Sequence, residues 1–105
     1  MIKYGLDRIT ELEFLGFTPR VERRDGQWID IVLQPELAEA TPAPDDLIHF
    51  TILVICTHDG TIVQMVPQDE DCDCEYGFTV GEKEQIATYV SSEGIQRQVA
   101  NVAEH

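Results

Sequence analysis

Residues 47–67 read "LIHFTILVICTHDGTIVQMVP", and this stretch decides the fold. Asp59-Gly60 sits between two apolar runs, a combination that signals a β-hairpin. The first run is apolar on both sides of a strand. Ile48, Phe50, Ile52, Val54 and Cys56 share one side; His49, Thr51, Leu53, Ile55 and Thr57 share the other. A strand buried on both faces needs cover on both sides. On the return run, Val63 and Met65 extend the set that contains Leu53 and Ile55.

A second hairpin precedes it, in "GFTPRVERRDGQWIDIVLQP" at 16–35. A two-residue loop would set Val21 opposite Asp30 and mix the two faces. A three-residue loop, Arg24 to Gly26, pairs Val21 with Ile29, Pro19 with Ile31 and Phe17 with Leu33. That register keeps each face chemically consistent and puts Gly26 in the left-handed position of the turn. Pro19 has no N–H to give a ladder, so its strand is expected at an edge. Trp28 falls on the face of Arg20, Glu22 and Asp30, where a half-exposed indole suits a contact surface.

The ends read as helices. Leu6, Ile9, Leu12 and Leu15 recur at three-residue steps, which predicts a helix from Leu6 to Leu15, capped by Asp7 and stopped by Gly16. Thr79 and Glu82 match a capping box at the start of a second helix. Ile86, Tyr89 and Val90 form its apolar face. Ile95, Val99 and Val102 form a further stripe, with Gly94 placed to end or kink the helix before it. The connector "PELAEATPAPDD" at 35–46 is read as an exposed loop with room for one helical turn at Glu36 to Ala40. The expectation is one α+β domain spanning 1–105. It has a four-stranded antiparallel sheet of two hairpins, with N- and C-terminal helices packed mainly on one face, in the order α-β-β-β-β-α.

Two short helices cover one side of such a sheet. The other side would expose Leu53, Ile55, Val63 and Met65, and an apolar row of that kind marks an interface. Burying four such side chains is worth about 6–12 kcal/mol before association costs. A two-fold homodimer is the simplest way to cover the row, with Trp28 as a further contact.

Charge narrows the partners. Twenty acidic residues face seven basic ones, for a net charge of −13. Lys3, Arg8, Arg20, Arg23 and Arg24 crowd the first 24 residues, and no Lys or Arg falls between Asp25 and Glu82, where thirteen acids lie. This excludes a grip on the nucleic-acid phosphate backbone or on an anionic membrane surface. It favours a basic protein surface or cations. No apolar run reaches the roughly 20 residues of a membrane helix, and the N-terminus lacks a signal-peptide pattern. With an odd count of three cysteines, a cytoplasmic, reducing compartment is expected.

The chemical candidates gather in "PQDEDCDCEYG" at 67–77. Asp69, Asp71, Cys72, Asp73, Cys74 and Glu75 are the metal-ligating candidates. Counted from Asp71, the calcium-loop positions 1, 3, 5 and 12 hold Asp71, Asp73, Glu75 and Glu82, but the glycine falls at position 7 instead of 6. A closed zinc site needs four ligands; beyond Cys72 and Cys74 only Cys56, His49, His58 and His105 remain, and no second Cys pair exists. Neighbouring carboxylates raise thiol pKa values, which makes these cysteines poor nucleophiles. His49 and His58 lack a Ser or Cys partner at a catalytic spacing, and phosphate-loop and zinc-protease motifs are absent. The reading is therefore a small acidic cytoplasmic, non-enzymatic protein-binding module, without a cofactor, dimeric and engaging a basic partner surface. Such a module would serve as an adaptor, inhibitor or chaperone-like protein. The alternative is a metal-binding or metal-responsive protein that takes a divalent cation on Asp69 to Glu75.

Overall fold

The computed structural model describes residues 1–5 and 9–104. Its strands are β1 (Ile2–Lys3), β2 (Phe14–Arg23), β3 (Trp28–Leu37), β4 (Phe50–Thr57), β5 (Ile62–Asp69), β6 (Cys72–Asp73) and β7 (Tyr76–Gly77). Two helices follow, α1 (Val80–Val90) and α2 (Glu93–Ala103). The main sheet is antiparallel with order β2-β3-β4-β5-β6, and β1 and β7 make a separate two-stranded ribbon. The class is α+β, but the expected α-β-β-β-β-α order does not hold. The sheet has five strands, and both helices are C-terminal.

The doubly apolar stretch became the middle strand of the five. Phe50 to Val54 are all buried, and Cys56 with them. β3 alternates beside it, with Ile29, Ile31 and Leu33 fully buried and the residues between them half-buried. β2 is an edge strand, as Pro19 requires.

The expected N-terminal helix is absent from the described part of its span; Leu6, Asp7 and Arg8 lie outside the described residues. Ile9 makes an isolated bridge to Ile2, Phe14 opens β2, and Gly16 lies inside that strand instead of ending a helix. The three-residue rhythm is accidental. Leu12 is buried, while Ile9 and Leu15 are 66% and 61% exposed. The backbone here is satisfied by side chains from α1. Gln85 accepts from Phe14 N–H at 2.9 Å and donates to Leu12 C=O at 2.8 Å, and Glu82 accepts from Leu12 N–H at 2.7 Å.

Glu82 ties the N-terminal segment to the start of α1. Its carboxylate is fully buried and receives the Met1 ammonium, the Leu12 N–H and, at 2.8 Å, the Thr79 N–H. The last contact closes the capping box, in which Thr79 Oγ1 accepts from Glu82 N–H at 3.1 Å. The helix break falls at Ser91–Ser92, ahead of Gly94, which sits in the first turn of α2. Ile86 and Val90 from α1 and Ile95 and Val99 from α2 pack with Ile29, Ile31, Leu33, Ile52, Val54 and Cys56. Both helices therefore cover the same face.

Register supplies the other corrections. Val21 pairs with Ile31 and Arg23 with Ile29, two residues from the expected alignment. The shift is even, so each side chain stays on its expected face. The turn keeps three residues but moves on by one, to Asp25–Gln27, with Arg24 N–H bonded to Trp28 C=O at 3.0 Å; Asp25 organises it, its carboxylate accepting N–H bonds from Gln27 and Trp28, each at 2.8 Å. Among the described glycines, the left-handed ones are Gly5 and Gly60, so Gly26 does not take that role. β3 runs on through Pro35 and Glu36 to Leu37, in place of the helical turn read at Glu36 to Ala40.

Candidate functional site

Pairing across the sheet sorts the side chains into two sets of rows. Val21, Ile31, Val54 and Met65 form one row on the helix-covered face; Arg20, Val32, Leu53 and Val66 form a row on the other. A further outer row runs Glu22, Asp30, Ile55 and Gln64. Ladder pairing breaks between Ile55 and Cys56, which face Gln64 and Ile62, so Val63 is the extra residue of a β-bulge. The bulge breaks up the row Leu53, Ile55, Val63, Met65 expected from alternation. Met65 turns to the core face and packs against the core, and Val66 takes its place beside Leu53.

Among the described residues, no helix covers the outer face. Its apolar strip is narrower than the sequence suggested, because Leu53 is already reduced to 9% exposure by its neighbours. Val63 is 54% exposed. Together with Trp28, Ile55, Gln64 and Arg24 it lines a shallow hollow of about 290 Å³. The strip is flanked by two ion pairs, Arg20–Glu22 and Arg24–Asp30, both at 2.7 Å. A second hollow on this face is lined by Thr18, Arg20, Gln34, His49, Thr51 and Asp71, among others. Thr51 is 4% exposed, and its buried hydroxyl has no hydrogen-bond partner among the described residues. A buried polar atom without a partner is costly.

The acidic stretch is largely turn architecture. Glu70 and Asp71 have φ of 51° and 66°, the left-handed pair of a two-residue hairpin turn between Asp69 and Cys72. Asp69 Oδ1 accepts from the backbone N–H groups of Ile48 and His49 at 2.9 and 2.7 Å, so it pins the approach to β4. Asp73 accepts from the Gln68 amide at 3.2 Å. The Cys74 thiol donates to Pro67 C=O at 3.4 Å, while Cys72, Asp71 and Glu75 point to solvent. Among the described residues, no group of three or more His, Cys, Asp or Glu is arranged to hold a metal ion.

Titration follows the same geometry. Burial pushes the Cys56 and Cys74 thiols above the ordinary cysteine range. N–H bonds from Gln27 and Trp28 hold the Asp25 carboxyl below the usual carboxylate range. Asp46 is held low by the Lys3 ammonium, 2.8 Å away, and by the Tyr76 hydroxyl at 2.6 Å. His58 touches Asp25 C=O at 3.1 Å, which links the two hairpin turns.

Sequence reasoning missed the open edge of β5. β6 pairs with Gln68 and Asp69 alone, so Ile62 to Pro67 have no strand on that side among the described residues. The signal was present in Pro67, whose missing N–H stops a ladder. Comparison with protein-family models, with curated proteins and with solved structures finds no match to this chain. Among the described residues no helix is long and apolar enough to cross a membrane.

Proposed function

We propose that this chain is a non-enzymatic protein-binding module of the cytoplasm whose bare sheet face docks a basic protein. The observation that carries this reading is the outer face itself. Both helices pack on the opposite side, and Thr51 there keeps a buried hydroxyl without a partner among the described residues. Trp28, Ile55 and Val63 supply an aromatic and aliphatic anchor of the sort that dominates binding energy. The two arginines on the face are engaged by Glu22 and Asp30, which leaves the chain's acidic excess to attract a basic surface. Raised thiol pKa values at Cys56 and Cys74 favour a binder over a thiol catalyst.

Affinity capture from the host at low salt tests this. The expected partner is basic, is released as salt rises, and is lost with Trp28→Ala, which should weaken binding by about 2 kcal/mol, roughly thirtyfold. A partner retained equally by Trp28→Ala would defeat the reading. A two-fold homodimer through the same face is the second reading, favoured by the exposure of Val63 beside Ile55 and Trp28. Sedimentation at micromolar concentration separates the two, and Val63→Asp would return such a dimer to monomer.

A further inference from the structure

The unpaired side of β5 has a defined chemistry. A two-residue turn makes Asp69 and Cys72 a hydrogen-bonded pair, so the backbone N–H and C=O of Asp69 point toward β6. Direction alternates along a strand, so Pro67 and Met65 point the same way. Pro67 fits this assignment: it has no N–H, and its C=O on that side receives the Cys74 thiol. β6 cannot extend past it. Met65 and the bulged region before it border a groove of about 500 Å³, lined also by Tyr4, Tyr76, Phe78 and Lys83 among others. Six residues of strand, one of them the Val63 bulge, span at most about 20 Å at ~3.3 Å each, room for a short extended segment centred on Met65.

Ile62 to Pro67 carry no charge, so the edge lacks the charged side chains that blunt strand-to-strand pairing. Carboxylates mark its ends instead. Asp59 stands at one, and Glu70, Asp71 and Asp73 at the other. We propose that the open edge of β5 accepts an extended segment of a basic protein as an added strand, by main-chain pairing. The proposal rests on the binding-module reading above and names how the partner would attach. Lys83 on α1 stands beside the middle of the groove. The segment is therefore uncharged at its centre and basic at its ends, against Asp59 and the Glu70–Asp73 turn. A second copy fits worse. Antiparallel pairing of two β5 edges would bring the Asp59 turn of one copy against the Glu70–Asp71 turn of the other.

The test uses a synthetic hexapeptide, acetyl-Lys-Thr-Val-Thr-Val-Lys-amide, titrated into the isotope-labelled full chain. Three probes accompany it: the same peptide N-methylated at alternate residues in each of the two frames, and a version with glutamate for lysine. Amide hydrogen exchange at Met65 should slow by about tenfold or more with the basic peptide. It should stay unchanged with the glutamate version and with the N-methyl frame that blocks pairing. Met65→Pro removes the outward N–H and should abolish the effect; the N-methylated probes decide the matter without relying on that variant's folding. Unchanged exchange at Met65 under saturating basic peptide would overturn the proposal. So would Met65 protection that grows with protein concentration alone, which would place a second copy on the edge. Trp28 lies on β3, with β4 between it and the β5 edge, and main-chain pairing at Met65 does not involve it, so failure of the hexapeptide leaves the outer-face reading to be judged by Trp28→Ala, and the reverse.

Discussion

β2 closes the sheet on one side with Pro19 in mid-strand, with Arg20, Glu22 and Arg23 along it, and with a register break beside Gly16. β5 closes it on the other with Ile62, Val63, Gln64, Met65 and Val66, none of them charged. Proline, charge and irregularity are the usual means by which an edge refuses a new strand. β2 uses all three. β5 has one proline, at the point where the chain's own β6 stops, and the bulge at Val63 before it, but no charge. The contrast teaches that edge protection here is uneven: β2 combines three devices along its length, whereas β5 relies on a bulge and a proline and carries no charge between them.

The contrast breaks most severely if the side that β2 occupies comes loose. Glu82 holds the run into β2 through Leu12 and the Met1 ammonium in a fully buried setting. Glu82→Ala strands that ammonium and two N–H groups, and should cost about 3–5 kcal/mol in urea unfolding. Glu82→Gln keeps two acceptor contacts and should cost less. A smaller effect concerns the turn that seats β6 on β5. Glu70 and Asp71 hold left-handed backbone without being glycine or asparagine. Replacing them as Glu70→Asn with Asp71→Gly should stabilise the chain by about 1 kcal/mol in the same assay.

Gln64→Lys gives the β5 edge one of the devices that β2 already has. Unfolding free energy should move by less than about 0.5 kcal/mol, because Gln64 is exposed. Peptide protection at Met65 should fall, which would make the two edges alike in behaviour. The mildest probe is pH. Asp25 shapes the β2–β3 turn and has a depressed pKa. Its contribution is present above the unfolded carboxylate value of ~3.9 and fades as pH falls through the lower folded value. Acid titration should therefore shift the Gln27 and Trp28 amide resonances below that pH before it disturbs Met65.

The hairpins and the C-terminal capping box were legible because their signals are local. Alternation in 47–57, turn residues at Asp59-Gly60 and the Thr79–Glu82 spacing each act within a few positions. The N-terminal segment was not legible, since Leu12 and Phe14 are satisfied by Glu82 and Gln85, some seventy residues away. A stripe at three-residue steps then mimicked a helix. The bulge at Val63 was equally silent: nothing in "GTIVQMVP" marks which residue will be left unpaired, and that one insertion moves Met65 across the sheet. The acidic Cys stretch drew attention by composition, whereas the structure uses its Asp69 as a backbone anchor. The β5 edge depends on which way a proline faces, and parity of that kind emerges only once the turn is known.

Pro67 thus acts as a ruler. A residue with an N–H at that position would let Cys74 join the ladder, and the chain could zip its own tail further along β5. Only that closed ring stands against self-occlusion of the groove, so the length of the exposed template is written into a single pyrrolidine.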